Sequence, residues 1–318
     1  IVAESRNIDY QSAVRSIWHN LVNRKYYVTG GVGSGESSEG FGPDYSLRQD
    51  GYCESCSSCG EIFFQWKLHL AYGDSRFADL YEETLYNALL GSLDLEGRNF
   101  YYDNPLDTRV PRYPWHACPC CVGNIPRTLL MLPTWMYTKG SDSIYVNLFV
   151  GSTVTVEQVA GTDVELRQTT DYPWDGRVSL FVSPKAPTRF SLRIRVPSRN
   201  VSALYRRTPD ADGLVSISVN GAAVAPAIER GYAVITRTWT VGDRVEFILP
   251  LRVQRVHAGA KVAAAAGRVA LQYGPLVYNL EAVDQDLGKA LGPSAPLASE
   301  WRANLLGGVR VITGRFTD

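Results

Sequence analysis

All six cysteines of this 318-residue chain lie between positions 53 and 121. Glu54 and Cys56 are two residues apart and can offer a carboxylate and a thiolate to one ion where the backbone is extended or turning. The adjacent Cys120 and Cys121 add two soft ligands, which completes a four-ligand set suited to zinc. Three thiolates and a carboxylate around one dication could leave one sulfur electron-rich and reactive. The cysteines therefore predict a zinc site with the potential for nucleophilic chemistry.

Disulfide bonds and inert buried thiols are the alternative interpretations of the same cysteines. Six is an even number, and a secreted protein could pair them all. However, Cys120 and Cys121 are adjacent and cannot easily bridge each other without strain. A chain that is 45% hydrophobic can also bury a core without covalent staples. We favour metal ligation and keep the two alternatives open.

Composition restricts the partners and the location. The net charge is zero and no basic stripe is present, which argues against nucleic acid as a partner. No apolar run reaches about 18 residues, so no membrane span is expected. Unpaired thiols favour a cytoplasmic location, although zinc would also protect them in a secreted protein. The chain begins at Ile1 without an initiator Met or a signal peptide, and we expect it to be an excerpt of a longer protein.

The first 140 residues carry helical patterns around a long glycine-rich loop. Apolar spacing predicts helices at residues 10–25, 57–72, 76–95 and 124–137, with a short strand at 98–102. Asp74 is expected to cap the third helix, Pro126 to occupy the first turn of the fourth, and Pro133 to kink it. The loop at residues 29–51 contains seven glycines and is too long for an ordinary connection. We therefore expect this loop to be functional or disordered.

The pattern changes to strand-like alternation at about Gly140. Turn signals such as Asp175-Gly176 and Asn220-Gly221 separate these runs up to Pro250. This part predicts an antiparallel β-sandwich without chemistry of its own. Further strands at residues 268–280 predict part of a second β-domain. The predicted domains are therefore residues 1–140, 141–250 and 251–318.

Several motifs together resemble glycoside hydrolase family 127, whose type activity is β-L-arabinofuranosidase. The most specific pair is Glu54-Ser55-Cys56 with Cys118-Pro119-Cys120-Cys121. The other matching segments are residues 29–33, 39–45, 115–117, 124–127, 171–176 and 267–278.

The resemblance implies a mixed multidomain fold, in which an α-helical (α/α)6 barrel precedes antiparallel β-sandwich domains. The first 140 residues supply too few helices for such a barrel, so this chain is expected to hold its C-terminal part. The upstream half or a second chain would complete the barrel. Alone, the helical segment would expose a large apolar edge.

The resemblance also implies a zinc-dependent retaining glycosidase that cleaves a β-L-arabinofuranoside or a related pentofuranoside. Its substrate would be a plant-type arabinose-containing oligosaccharide or glycoconjugate. Cys120 would be the nucleophile, with Glu54, Cys56 and Cys121 as its companions on Zn²⁺. Glu39 would be the general acid/base, because it opens the Glu-x-Phe-Gly-Pro pattern of the family.

The remaining polar and aromatic residues near these motifs receive weaker assignments. Glu36 lies in the same loop as Glu39 and is not expected to act in catalysis. His116, Tyr52 and Trp115 are candidates for substrate binding, with packing in the core as the other interpretation. The extra thiols are interpreted as spectators, with a second thiol cluster as the other interpretation: they are Cys53, Cys59 and Cys118.

Two other classes of function fit the same residues. A structural or carbohydrate-binding module could hold zinc in a closed four-ligand site without turnover. A glycosidase could instead use only the carboxylates of Glu39 and Glu54, with the cysteines incidental. A solvent-open pocket beside Cys120 favours the zinc enzyme, and loss of activity on chelation separates it from the carboxylate enzyme.

Overall fold

The computed structural model describes residues 7–35, 38–283 and 285–317. Its N-terminal part is helical. Asn7 caps the first helix by accepting the backbone N–H of Asp9, and Asp74 caps the third through Arg76. Gly73 ends the second helix in the left-handed conformation, which glycine adopts without steric cost. The helices are α1 (Ile8–Asn20), α2 (Ser55–Tyr72), α3 (Ser75–Thr84), α4 (Cys120–Leu130) and α5 (Leu132–Met136).

The helices lie where the apolar spacing predicts them, with local differences. α1 and α3 run on into single π-helical turns at Leu21–Lys25 and Leu85–Leu89. α4 begins at Cys120, so Pro126 lies inside the helix and its prediction as a first-turn residue was wrong. The predicted break near Pro133 is confirmed, because α4 ends at Leu130 and α5 carries Pro133 in its first turn.

The predicted strand at residues 98–102 was wrong. Only Phe100 forms bridges there, to Leu93 and to Tyr113. The other backbone groups bond elsewhere: Tyr101 N–H donates to the Ser92 carbonyl, and the Tyr102 carbonyl accepts from Ser55 N–H. These bonds tie the segment to the start of α2 and place Tyr102 beside it.

The glycine-rich loop is ordered by backbone contacts over its described residues. Gly35 N–H donates to the Gly40 carbonyl, and a Cβ at Gly35 would lie 2.3 Å from the Ser38 carbonyl oxygen. A residue with a side chain therefore cannot replace Gly35 without moving the loop. Glu36 lies outside the described residues.

A β-sandwich follows the helices. One sheet has the order β1-β2-β6-β11-β10 and the other β3-β4-β5-β12-β8-β9. All pairs are antiparallel except β2 with β6, which are parallel, so the predicted antiparallel pairing holds for every strand pair of the sandwich but one. Buried aliphatic residues from both sheets fill the core, such as Val164, Leu180 and Leu192. The strands are β1 (Tyr137–Lys139), β2 (Ser143–Val146), β3 (Ser152–Val159), β4 (Thr162–Thr170), β5 (Arg177–Pro184), β6 (Thr188–Arg195), β7 (Tyr205–Thr208), β8 (Ser216–Val219), β9 (Ala222–Ala223), β10 (Ala227–Glu229), β11 (Tyr232–Trp239) and β12 (Asp243–Ile248).

Smaller sheets complete the C-terminal part. A four-stranded sheet has the order β15-β14-β13-β7, so β7 from the sandwich region joins strands beyond position 250. Two strand pairs, β16 with β19 and β17 with β18, stand apart from it. The three-domain division stays a prediction. These strands are β13 (Val253–Ala258), β14 (Ala270–Tyr273), β15 (Leu276–Tyr278), β16 (Ala290–Leu291), β17 (Leu297–Arg302), β18 (Val309–Gly314) and β19 (Phe316–Thr317).

Buried ion pairs join α3 to the sandwich. Arg195 is fully buried and its Nη1 lies 2.6 Å from Asp79 Oδ1, while its Nη2 contacts Glu82. Arg199 pairs with Glu82 at 2.9 Å and Arg207 with Glu83 at 3.2 Å. Each charge is thus offset by a neighbour, which buried charges require.

The helical part also has an exposed apolar surface. α1 has no buried residue, and Ile8 and Ile17 are 75% and 60% exposed. Leu130 at the end of α4 is 81% exposed. Among the described residues, no helix combines the length and the apolar character that crossing a membrane requires.

Candidate metal and catalytic site

Four of the predicted ligands form one cluster. The donor atoms of Glu54, Cys56, Cys120 and Cys121 all lie within 4.8 Å of one another. Cys121 Sγ is 3.1 Å from Cys56 Sγ and 3.8 Å from Cys120 Sγ. Glu54 Oε1 accepts from both Cys120 and Cys121 at 3.4 Å. Residues separated by more than 60 positions thus converge on a volume of the size of one ion.

Two helix N-termini carry these side chains. Glu54 is the residue before α2 and Cys56 lies in its first turn, while Cys120 and Cys121 are the first two residues of α4. The free N–H groups and the positive end of the helix dipole favour negative charge at such positions. Both helices therefore stabilise thiolates at the point where they meet.

The electrostatics of the cluster favour one thiolate in the absence of a cation. Hydrogen bonds from Cys121 and from Asn124, whose Nδ2 lies 3.0 Å from Cys56 Sγ, lower the pKa of Cys56 to about 7. Interaction with Cys56 raises the pKa of Cys121 far above the usual range, and burial raises that of Cys120 to about 11. Like charges this close oppose ionisation, so full deprotonation of the cluster needs a bound cation.

This donor set fits zinc. Three sulfurs and one carboxylate oxygen are donor kinds that zinc binds and make up the four ligands of a tetrahedral site, and soft thiolates select zinc over magnesium or calcium. Glu54 and Cys121 are buried, while Cys56 and Cys120 are partly accessible. The site therefore combines closely spaced ligands with one accessible side.

Tyr102 is buried and contacts both predicted catalytic residues. Cys120 Sγ is 3.3 Å from the Tyr102 hydroxyl oxygen, and that hydroxyl donates to Glu39 Oε1 at 3.4 Å. One hydroxyl that contacts both groups holds Cys120 Sγ and Glu39 Oε1 less than about 7 Å apart.

The predicted substrate-binding residues surround Tyr102 to different extents. The His116 ring stacks on the Tyr102 ring with centroids 4.1 Å apart, and Tyr52 meets it edge-on at 6.3 Å. Trp115 is 64% exposed. Their role in binding stays a prediction, while His116 and Tyr52 lie next to the candidate catalytic groups.

The three extra cysteines differ in their surroundings. Cys53 and Cys59 are buried, and burial raises their pKa values to about 12 and about 11. Cys118 is exposed. Cys53 and Cys59 thus behave as packing residues, whereas Cys118 is accessible to reagents.

Sequence reasoning missed three residues of the site. Tyr102 was placed at the end of a strand, Asn124 was noted only as part of a motif, and Asp103 was not considered. Burial raises the pKa of the Asp103 carboxyl, and its interaction with Tyr52 offsets part of that rise. A tyrosine next to an aspartate in a polar loop was the one available signal.

Three family models match consecutive parts of the chain. The model of the β-L-arabinofuranosidase GH127 catalytic domain matches residues 1–134. The GH127 middle domain matches residues 143–251, and the glycoside hydrolase family 127 C-terminal domain matches residues 253–308.

Relatives and solved structures agree with these matches. A non-reducing end β-L-arabinofuranosidase of Bifidobacterium longum subsp. longum is 32% identical over 329 residues, which cover 94% of this chain and 47% of the relative. A solved GH127 β-arabinofuranosidase is 34% identical with a TM-score of 0.94, over 99% of this chain and 51% of the other. A GH127 β-L-arabinofuranosidase from Geobacillus stearothermophilus T6 is 35% identical with a TM-score of 0.89, over 98% and 50%. The chain thus spans about half the length of these relatives.

Proposed function

This chain belongs to glycoside hydrolase family 127, and on that premise we propose that it carries the catalytic centre of a zinc-dependent retaining glycosidase. The proposed substrate is a β-L-arabinofuranoside, or a related pentofuranoside, in an arabinose-containing glycan. The names of the relatives support this class of substrate. The observation that carries the proposal is the Tyr102 hydroxyl that contacts both Cys120 and Glu39.

In the proposed first step, the Cys120 thiolate attacks the anomeric carbon while Glu39 donates a proton to the departing glycosidic oxygen. A thioglycosyl bond to Cys120 forms as the glycosidic bond breaks. Zinc held by Glu54, Cys56, Cys120 and Cys121 would keep the thiolates ionised at neutral pH. No separate base is then needed to activate the nucleophile.

In the proposed second step, Glu39 removes a proton from water, and the water oxygen attacks the anomeric carbon. The carbon–sulfur bond breaks, and the electron pair returns to Cys120 as a thiolate. Two displacements retain the configuration of the sugar. Tyr102 can position both groups through its hydroxyl, and His116 holds the Tyr102 ring by stacking.

The test of the zinc site uses the metal content of the full-length protein. Cys56→Ser and Cys121→Ser should lower zinc content and thermal stability together, because metal binding is coupled to folding. Cys59→Ser is the matched control, since Cys59 lies on α2 outside the cluster. Unchanged zinc in both ligand variants would reject the site.

The test of the activity uses aryl glycosides of pentofuranoses, with an aryl β-L-arabinofuranoside as the first substrate and its α-anomer as the control. Chelation should abolish turnover and zinc should restore it. Proton NMR during the first minutes of the reaction should show that the released sugar has the β configuration of the substrate. Turnover that survives chelation favours a carboxylate-only enzyme, and inversion rejects the covalent mechanism.

A non-catalytic zinc-stabilised carbohydrate-binding or structural module is the second candidate. Four protein ligands form a closed set, as in structural zinc sites. A folded zinc-loaded protein that binds arabinose-containing glycans without hydrolysing them would establish this alternative. The predicted cytoplasmic location stays a prediction under both functions.

A further inference from the structure

The three sulfurs of the cluster are chemically alike, and only one of them is the proposed nucleophile. With zinc bound, all three thiols would be ionised, so ionisation alone does not decide which sulfur reacts. Burial removes one candidate, because Cys121 is 0% exposed while Cys56 and Cys120 are partly accessible. Two sulfurs of the same kind therefore remain accessible to an electrophile, and their neighbours must distinguish them.

The side-chain amide of Asn124 distinguishes Cys56. Asn124 Nδ2 lies 3.0 Å from Cys56 Sγ and donates a hydrogen bond to it. Within residues 7–35, 38–283 and 285–317, no other side-chain nitrogen is hydrogen-bonded to a sulfur of the cluster. A bond from an N–H group to an ionised acceptor is about twice as strong as one between neutral groups. This bond occupies a lone pair that Cys56 would need for an attack.

Cys120 contacts oxygen atoms instead. Its sulfur is 3.3 Å from the Tyr102 hydroxyl and 3.4 Å from Glu54 Oε1. An ionised carboxylate has no proton to donate, and the single proton of the Tyr102 hydroxyl can be donated to Glu39 Oε1, 3.4 Å away. The Cys120 sulfur can therefore keep its lone pairs free for an attack.

Helix α4 fixes this difference between the two sulfurs. Cys120 and Asn124 are four residues apart at the start of α4, and residues at this spacing lie on the same face of a helix. One turn further on, the Thr128 hydroxyl donates to the Asn124 carbonyl oxygen at 2.7 Å. A single helix thus carries the proposed nucleophile and also the amide that binds the Cys56 sulfur of α2.

We propose that Asn124 is a positioning residue that assigns the roles of the two accessible sulfurs. Its amide keeps Cys56 as a permanent ligand and leaves Cys120 as the sulfur that reacts with electrophiles. Where the electrophile is a sugar, the proposal rests on the proposed function, whereas the difference in reactivity rests only on the contacts of the two sulfurs. Groups that hydrogen-bond to metal ligands typically change affinity or activity by about 10- to 100-fold.

The experiment measures the reactivity of each sulfur with iodoacetamide, so it does not depend on turnover. The attacking thiolate forms a carbon–sulfur bond and iodide leaves. Zinc-loaded full-length protein is treated briefly in excess zinc, denatured, blocked with N-ethylmaleimide and digested with trypsin. Fragment-ion mass spectrometry then locates the label, because Cys120 lies on the peptide 113–127 and Cys56 on the peptide 49–67. Cys118 is exposed and serves as an internal standard for the reagent.

Two variants remove the amide in different ways. Asn124→Ala leaves space beside Cys56, while Asn124→Leu fills that space, and both new residues are good helix formers. In wild type, we expect Cys120 to be labelled before Cys56. In both variants, the ratio of Cys56 label to Cys120 label should rise by about tenfold or more. Thr128→Val is the matched control, since it removes a hydroxyl from the same helix and leaves the amide, and its ratio should stay at the wild-type value.

Several outcomes would overturn the inference. These are faster labelling of Cys56 than of Cys120 in wild type, an unchanged ratio in the two Asn124 variants, or an equal rise in Thr128→Val. A rise in Asn124→Ala alone would show that access and not the hydrogen bond protects Cys56. Loss of zinc from both variants in excess zinc would make Asn124 a determinant of metal binding instead. A protein that shows the expected ratios but never hydrolyses arabinofuranosides would reject the proposed function and leave the inference standing.

Discussion

At the scale of single residues, the site is organised by Tyr102. Its hydroxyl contacts Cys120 and Glu39, and its ring contacts the rings of His116 and Tyr52. The proposed nucleophile and the proposed acid/base therefore share one neighbour. A hydrogen-bonding group at this position can fix the direction of the sulfur and the position of the carboxylate at the same time.

Tyr102→Phe removes the shared hydroxyl and keeps the ring. We expect kcat to fall by about 10- to 100-fold, because the loss of a hydrogen bond to ionised groups costs about 1.5–3 kcal/mol. KM should change little, and zinc content should stay near the wild-type value. Tyr101→Phe is the matched control, since its hydroxyl donates to the Val110 carbonyl away from the cluster. Equal kcat values in the two variants would contradict the assignment.

The roles of Cys120 and Glu39 can be distinguished by trapping a sugar adduct on the protein and locating it by mass spectrometry. Cys120→Ser should abolish turnover, because a serine hydroxyl is a far weaker nucleophile than a zinc-held thiolate. Glu39→Gln should retain the first step with an activated aryl glycoside and accumulate a sugar adduct, since deglycosylation lacks its base. Mass spectrometry of a tryptic digest should find the adduct on the peptide 113–127, which carries Cys120. An adduct on the tryptic peptide 49–67, which carries Glu54, would favour the carboxylate mechanism.

At the scale of elements, the first turns of α2 and α4 create the cluster, and the rest of α2 anchors it. Gln65 on α2 donates to Glu61 Oε1 at 2.6 Å and accepts from Trp18 of α1 at 2.8 Å. Glu61 is buried, and this burial raises the pKa of its carboxyl to about 7. α2 thus carries a carboxyl that is protonated in the folded protein under mildly acidic conditions.

The Glu61 carboxyl predicts a pH dependence of stability. Its folded pKa lies above its unfolded value, so its stabilising effect is present below about pH 4.5 and is lost as the pH rises to about 7. The loss amounts to about 3 kcal/mol at most. In urea denaturation, Glu61→Gln should match wild type near pH 4 and be more stable near pH 8, because its neutral amide still accepts from Gln65. Parallel pH profiles of the two proteins would contradict this prediction.

At the scale of the whole molecule, the helical part and the sandwich are joined by buried charges. Asp79, Glu82 and Glu83 on α3 face Arg195, Arg199 and Arg207 of the β-region. Tyr172, from the loop after β4, donates to Glu82 and accepts from Arg199. The sandwich therefore contributes to the placement of α3, against which α2 packs.

Arg195→Met should destabilise the protein by about 3–5 kcal/mol, because it removes the cation that pairs with buried Asp79 and leaves buried Glu82 with Arg199 alone. Arg193→Met on the same strand is the control. Arg193 pairs with Glu229, which is 55% exposed, and such surface pairs contribute about 0–1 kcal/mol. Urea denaturation followed by circular dichroism measures both. Equal midpoints for the two variants would show that the buried network contributes no more than the surface pair.

The exposed apolar residues of α1 and α4 predict the behaviour of this chain on its own. Ile8, Ile17 and Leu130 lie on the surface, and we expect the upstream part of the barrel or a second chain to cover them. Residues 1–318 expressed alone should aggregate or bind a hydrophobic dye. A cooperatively melting monomer without dye binding would show that the helical part needs no cover.

The sequence alone identified the four residues of the candidate metal cluster and the places of the helices, and it indicated a β-region after Gly140. Two local pairs supply the donors of the cluster, namely Glu54 with Cys56 and Cys120 with Cys121. A carboxylate and three thiols can be recognised as metal donors from the residue types alone. Hydrophobic periodicity is likewise a local property, so α1, α2 and α3 were predictable over most of their length. The family resemblance added the roles of Cys120 and Glu39, which spacing alone does not assign.

Tertiary structure decided which side chains meet. Tyr102 and Cys120 are 18 residues apart, Tyr102 and Glu39 are 63 apart, and no local pattern encodes such contacts. Packing also determined the start of α4, because cysteines and an internal proline are poor helix formers and would not place it there. The parallel pairing of β2 with β6 follows from the order of strands in the sheet. Distant contacts are selected by the free energy of the whole packed core, and the residues that complete this site depend on them.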